Sequence, residues 1–201
     1  FVTQKIDKDS KPLLFGENVE KYKISFGNYW VNYKPKELMA LEIKRRGEGV
    51  RPGLWMRDPA IFERSKILTR QTADEIIAAF DNNNYYHANT LHGTAIFDDN
   101  YHSYYVLGIL NSKVTTWFYR SNTDEEGKTF AQIKIELLRR LPIPKIDSLS
   151  QKPIIKLVER VLTAKRANPQ ADTSPLEREI DELVYQLYGL NDDEIRIVEG
   201  G

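Results

Sequence analysis

The sequence predicts an α+β fold: a mixed β-sheet region with one buried helix, followed by a C-terminal helical hairpin. Three observations predict it. Short aromatic and β-branched runs, broken by Asn, Asp and Gly, fill the first half of the chain. One apolar stretch around Leu107–Phe118 keeps a helical period. Beyond Pro144 come two amphipathic helices with clear start and stop signals.

Taken in order, Tyr22–Phe26 and Tyr29–Tyr33 are β-rich, and Gly27-Asn28 between them suits a hairpin turn. Lys44–Arg57 is rich in Gly, Arg and Pro and is expected as an exposed loop. Lys66–Leu68 resumes a strand pattern. In 72–90, Thr72–Glu75 has the spacing of a helix-starting capping box, but Asp81–Asn84 separates Ile76–Phe80 from Tyr85-Tyr86. A hairpin is the preferred reading there. Ser103–Tyr119 is expected as one buried helix capped by Ser103, with Leu107, Leu110, Val114, Trp117 and Phe118 at helical spacing. Gly108 inside it costs about 1 kcal/mol against Ala, so close packing is expected there. Leu141-Pro142-Ile143-Pro144 admits neither helix nor central strand.

The tail reads as helix over Gln151–Arg166, with Ile154, Val158 and Val161 on one face. A loop at Pro169–Thr173 follows. Ser174-Pro175-Leu176-Glu177 combines a cap, a first-turn proline and a capping glutamate. Leu176, Ile180, Leu183, Val184 and Leu187 form the apolar stripe, Gly189 stops the helix, and a short helix begins near Asn191. This divides the chain into 1–146 and 147–201.

Of 201 residues, 41% are hydrophobic and 29% charged, the composition of a globular chain. No apolar run approaches the ~20 residues of a membrane span, so no membrane partner is expected. There is no cysteine, which excludes disulfides and thiolate zinc sites and fits a cytoplasmic protein. The chain begins at Phe1 and is read as a piece of a longer protein. Net charge is zero but unevenly spread. Residues 1–146 carry 22 Lys/Arg against 18 Asp/Glu, whereas 147–201 carry 7 against 11. Segment 34–70 holds 10 basic and 5 acidic residues.

Catalytic signatures are sparse. His87 and His92 lie five apart, which is not the spacing of helical zinc ligands, so a surface or hydrogen-bonding role is favoured over a metal. No phosphate-binding glycine loop or G-x-S-x-G occurs. Glu42-Ile43-Lys44 and Glu63-Arg64-Ser65-Lys66 touch the acid-x-lysine patterns of metal-dependent nucleases, matches that arise by chance in a chain this charged.

Several stretches resemble the TaqI-like C-terminal specificity domain of restriction-modification enzymes. They are Phe15-Gly16-Glu17-Asn18-Val19-Glu20-Lys21-Tyr22, Phe62–Thr72, Tyr85-Tyr86 with Asn89-Thr90-Leu91-His92, and Leu107-Gly108-Ile109-Leu110-Asn111-Ser112-Lys113 leading through Ile133-Lys134-Ile135 to Pro142-Ile143-Pro144. The helix Glu179–Leu190 resembles related specificity subunits as well, and 34–57 has no counterpart. The resemblance implies a reader of double-stranded DNA that serves the methyltransferase or nuclease domains of a parent enzyme. No cofactor is expected in this chain. An adenine-specific methyltransferase would hold S-adenosylmethionine, and a nuclease Mg²⁺, elsewhere in that parent.

Such a reader needs phosphate contacts for position and base contacts for sequence. Arg forks onto guanine, and Asn or Gln onto adenine. Lys66, Arg70 and Gln71 flank a predicted strand, and Asn89 and His92 lie across the proposed hairpin. Arg45, Arg46, Arg51 and Arg57 lie on the unplaced loop, and Lys113 and Lys134 suit phosphates. Against these stand ordinary roles: solvated flanks for Lys66 and the loop arginines, and capping or pairing with Asp74 for Arg70 and Gln71. Asn111 is the better candidate for satisfying backbone groups, and Tyr85, Tyr86, Trp117 and Phe118 for core. The rival function is a protein-interaction or spacer module docking a partner through the C-terminal helices.

Overall fold

The computed structural model describes residues 4–5, 7–49, 57–123 and 132–200. The fold is α+β, as predicted, but its strands pair over longer distances than the sequence suggests. Strand β1 (Ser10–Leu14) lies between β4 (Tyr29–Asn32), antiparallel, and β7 (Tyr86–His87), parallel. Strands β2 (Val19–Glu20) and β3 (Lys23–Ile24) form a short ribbon. A third sheet places β5 (Lys66–Arg70) between β6 (Ala78–Asp81) and β8 (Leu91–Thr94), both antiparallel to it.

Both expected hairpins are therefore corrected. β3 turns back on β2 and β4 pairs with β1, so Gly27-Asn28 links two sheets; Asn28 takes φ 58° there. Likewise β6 pairs with β5, and the chain passes through Asn84 at φ 58° to deliver Tyr86 to β1. Each turn chemistry is as expected; the strands beyond it find better burial elsewhere.

Helix α1 (Pro35–Gly47) corrects the exposed-loop reading where the two overlap, at Lys44–Gly47. Pro35 starts it, Leu, Met, Ala, Glu, Lys and Arg sustain it, and Lys44, Arg45 and Arg46 complement the dipole at its last turn. Of the rest of that segment, 50–56 lie outside the described residues.

The expected single helix is two: α2 (Ser103–Leu110) and α3 (Lys113–Ser121). His102, not Ser103, caps α2 by accepting Tyr104 N–H on Nδ1 at 3.2 Å. Ser112 caps α3 through Thr115 N–H. Between them Asn111, 6% exposed, donates to Ala78 O and accepts from Ala78 N, each at 2.9 Å, as its backbone-satisfying assignment foresaw. After α4 (Ile135–Leu138) and the extended Pro142–Pro144 segment come α5 (Ser148–Ala167), α6 (Ser174–Tyr188) and α7 (Asp192–Val198). Gly189 ends α6 at φ 68°, and Asn191 caps α7 in a capping box. Thr173, rather than Ser174, holds the N-cap position of α6: it is buried, makes no side-chain bond to the backbone there, and its Oγ1 donates to Glu177 Oε1 at 2.6 Å.

The principal core sets Ile67 and Ala78 of the third sheet against Leu107 and Ile109 of α2, which α5 and α6 cover with Val158, Val161, Ile180 and Val184. A second core joins Leu14 and Val19 to Leu68, Ala79 and Leu91 on the opposite face of the same sheet. β5 is thus buried on both faces. A third cluster holds Leu13, Phe62 and Tyr86, with the last two rings stacked at 4.6 Å. Trp117 and Phe118, expected in the core, stay partly exposed, Trp117 at 39%. The break at Asn111 turns α3 so that Val114, Thr115 and Tyr119 face inward instead.

Candidate functional site

Because β5 is held on both faces and by a neighbour on each edge, its end is fixed in place where it reaches the surface. Arg70 N–H donates to Ile77 O at 3.0 Å and Gln71 N–H to Thr90 O at 2.9 Å. Segment 132–134 closes on the same point. Ile133 N–H donates to Gln71 O at 2.6 Å, Thr72 bridges Gln132, and His92 Nε2 meets Ile133 O at 2.9 Å. A carbonyl oxygen only accepts, so His92 donates from Nε2. Lys134 follows as an exposed residue at the start of α4, and Asn89 lies exposed in the turn before β8. Five of the sequence-predicted residues, Arg70, Gln71, Asn89, His92 and Lys134, therefore gather around one strand end.

Alternation along β5 sends Lys66, Leu68 and Arg70 to the face that carries the second core. Where that core ends, Arg70 opens onto a pocket of about 300 Å³ lined by Phe15, Gly16, Glu17, Arg70, Thr72 and Thr90. The loop at 15–17 is seated tightly. Gly16 N–H donates to Thr90 Oγ1 at 2.9 Å, and a Cβ on Gly16 would stand 3.2 Å from Thr90 O. Arg70 Nε is buried without a hydrogen-bond partner among the described residues. Glu17, an exposed residue, lines the same pocket. In the sequence Glu17 carries no mark of a site beyond its place in the Phe15–Tyr22 motif. The loop and Arg70 lie more than 50 residues apart in sequence, and only the sheet unites them.

The other predicted residues lie elsewhere. Lys66 is corrected outright as a groove contact: it is 2% exposed. Its Nζ donates to Asp81 Oδ2 at 2.5 Å, Phe62 O at 2.7 Å and Arg64 O at 3.4 Å, so its three N–H groups are spent inside the protein. Burial lowers its pKa, and the Asp81 carboxylate opposes that shift. Arg45 and Arg46 are exposed on the last turn of α1, Arg46 beside Glu42 at 3.4 Å. Arg57 is exposed while its backbone N–H and C=O both bond the Tyr33 hydroxyl, at 2.8 and 2.6 Å. Arg51 lies outside the described residues. Lys113 belongs to the helical side: its Nζ meets Glu199 at 2.9 Å, and its backbone N–H donates to Asp181 Oδ1 at 2.9 Å.

The acid–lysine matches do not assemble. Glu63 accepts from the Tyr86 hydroxyl at 2.7 Å and pairs with Lys11 at 3.0 Å, contacts that hold its carboxyl below the usual range. Among the described residues no three His, Asp or Glu side chains are grouped to hold a metal. His87, half-buried against Phe62, is pushed down in pKa by desolvation, and its Nδ1 faces Ala88 O at 3.2 Å.

A small α+β module that presents basic and amide side chains from a fixed strand end has the form of a specificity domain. The chain belongs to the TaqI-like C-terminal specificity domain family, whose sequence profile matches residues 11–143. The structural likeness extends further. A solved structure of the type IIL restriction-modification enzyme MmeI in complex with DNA aligns at a TM-score of 0.64 and 14% identity, covering 96% of this chain. At that identity the likeness is one of fold. The chain spans about 30% of the MmeI chain's length. No curated protein sequence matches.

Proposed function

We propose that this chain reads the sequence of double-stranded DNA for a restriction-modification enzyme. The observation that carries the reading is the gathering of Arg70, Gln71, Asn89, His92 and Lys134 at one rigid strand end, in a chain of a specificity-domain family. Base-reading groups need backbones that do not move, and this end is tied to β6, β8 and segment 132–134. Lys134 and the arginines of α1 supply phosphate contacts. In this reading 1–146 is the recognition unit and 147–201 a scaffold. Methylation of adenine with S-adenosylmethionine, and Mg²⁺-dependent cleavage where a nuclease is present, belong to other domains of the cytoplasmic parent enzyme.

The helices support this reading over partner docking. The apolar faces of α5 and α6 are packed into the principal core, and among the described residues the large exposed hydrophobic side chains on α5–α7 are Leu149 and Ile197, at opposite ends of the segment, whereas α1 exposes Met39, Leu41 and Ile43 together. Selection of bound duplexes from a random pool, with the full-length protein, tests it. A defined site is expected, bound at least ~10³-fold more tightly than scrambled DNA. Equal affinity for all duplexes at every salt concentration refutes it.

A further inference from the structure

We infer that the pocket between Arg70 and Glu17 reads a G·C base pair through its major-groove edge, Arg70 donating to the guanine and Glu17 accepting from the cytosine. The inference rests on the DNA-reading proposal and assigns chemistry to one part of that surface.

The pocket sets one cation and one carboxylate in its lining. Arg70 is the sole basic residue among the six that line it, and Glu17 the sole acidic one. Of the buried side-chain atoms that lack a partner among the described residues, Thr69 Oγ1, Arg70 Nε and Thr116 Oγ1, Nε alone belongs to a charged group. Nε is shielded without a protein acceptor in exchange while the residue as a whole stays partly exposed, and a ligand carrying acceptors that meets the rest of the guanidinium offsets that cost.

The chemistry of the lining selects among the acceptors that DNA offers. A phosphate carries acceptors alone, which suits Arg70 but sets a second negative charge beside Glu17. A guanine presents O6 and N7 side by side, the spacing that a guanidinium fork takes, and its cytosine partner presents the N4 amino donor to a carboxylate. Adenine offers a single acceptor beside a donor, and its partner thymine adds one acceptor and a methyl group, so an A·T pair leaves half the fork unmet. The side chains are also well mounted. Arg70 ends a strand buried on both faces, and Glu17 sits in the turn pinned by Gly16 N–H on Thr90 Oγ1.

The test uses the full-length protein, its selected site, and duplexes in which each guanine in turn is replaced by 7-deazaguanine, which lacks N7. Wild type is expected to lose about tenfold or more in affinity at one particular guanine. Arg70→Ala is expected to bind the unmodified site about 5- to 150-fold more weakly and to be indifferent to 7-deazaguanine at that position. Glu17→Gln relaxes the preference at the same base pair without changing the salt dependence. Uniform weakening of Arg70→Ala on all duplexes, with a shallower salt dependence, assigns Arg70 to a phosphate and overturns the inference. So does a wild-type and Arg70→Ala response that is the same at every guanine. Should Arg70→Ala melt at a lower temperature and bind nothing, Arg70→Lys keeps the charge but loses the fork, and its indifference at the same guanine decides the question. A wild-type protein that selects no site refutes the DNA-reading proposal itself. A defined site with no guanine answering to Arg70 refutes the base-pair assignment alone.

Discussion

Substituting Gly108 by alanine sets two opposing effects against each other, and the structure decides the sign. Alanine in a helix interior is favoured over glycine by about 1 kcal/mol, so helix propensity alone predicts stabilisation. A Cβ at this position would lie 2.7 Å from Ile154 Cγ2, 3.2 Å from Val158 Cγ2 and 3.6 Å from Ile180 Cγ2. The first distance requires α2 and α5 to separate, and the atoms involved are methyls of a packed core rather than the ends of flexible side chains. Overpacking of this kind costs about 1–3 kcal/mol, so the net expectation is a loss of up to about 2 kcal/mol. For a chain of this size each 1 kcal/mol lowers the melting temperature by about 2–4 °C. The decisive measurement is a double-mutant cycle followed by urea unfolding. Ile154→Ala alone costs about 2–5 kcal/mol, but it removes the methyl that the new Cβ would strike. In that background Gly108→Ala is expected to become stabilising by about 1 kcal/mol, a reversal of sign. If Gly108→Ala stabilises the wild-type protein, or if its effect is the same in both backgrounds, the close α2–α5 approach does not control this position.

Three further outcomes are expected. Lys66→Met leaves the fully buried Asp81 carboxylate without its cation and should lower stability by about 3–5 kcal/mol; a variant with unchanged urea midpoint and weakened DNA binding would return Lys66 to the surface. Thr173→Ala should cost about 1 kcal/mol through loss of the Thr173–Glu177 bond, while Ser174→Ala, at an exposed position, stays within about 0.5 kcal/mol, and the reverse order in thermal melts would restore Ser174 as the cap. Asp181 has its pKa raised, chiefly by burial, so its contribution to stability is present below its unfolded-state pKa and lost as pH rises through the folded value. Asp181→Asn, whose carbonyl can still accept Lys113 N–H, should therefore raise the melting temperature at neutral pH and leave it nearly unchanged in acid, and a larger gain in acid would contradict that sign.

What the sequence made legible were features with a local cause. Gly189, Asn191 and the stripe Ile180–Val184 define the ends and the inner face of their helices by chemistry that lies within a few residues. Gly108 signalled close packing because nothing nearer explained a glycine in a helix. Strand pairing was not legible, because Tyr29–Asn32 and Ala78–Asp81 alternate in the same way whichever neighbour they meet. β4 found β1 and β6 found β5 through burial of Leu13, Leu68 and Ala79, which the whole fold determines. Helix α1 was missed for a physical reason: it exposes Met39, Leu41 and Ile43 and buries Glu42, so no apolar stripe marks it. Lys66 looked like a surface cation because its partner, Asp81, reaches it only once β5 and β6 are in register. Of the candidate site, Arg70, Gln71, Asn89, His92 and Lys134 were named from sequence, whereas Glu17 was not, since its relation to Arg70 exists only in three dimensions.

Bonded and unbonded cations are separated along a single strand. At the Lys66 end of β5 the polar groups are locked: Lys66 to Asp81, Phe62 and Arg64, and Asp81 in turn to Asn83 and Tyr85 N–H at 2.8 and 3.0 Å. Asn111 then fixes the neighbouring strand at Ala78 from the other side. Four residues along, Arg70 carries its backbone in the ladder but leaves its guanidinium without a hydrogen bond or ion pair among the described residues. A substitution at Lys66 breaks a closed network, whereas one at Arg70 removes no internal bond and relieves a buried, unsatisfied donor. If Arg70 addresses a base as proposed, its side chain can change while the strand that carries it stays where the Lys66–Asp81 pair and two cores hold it.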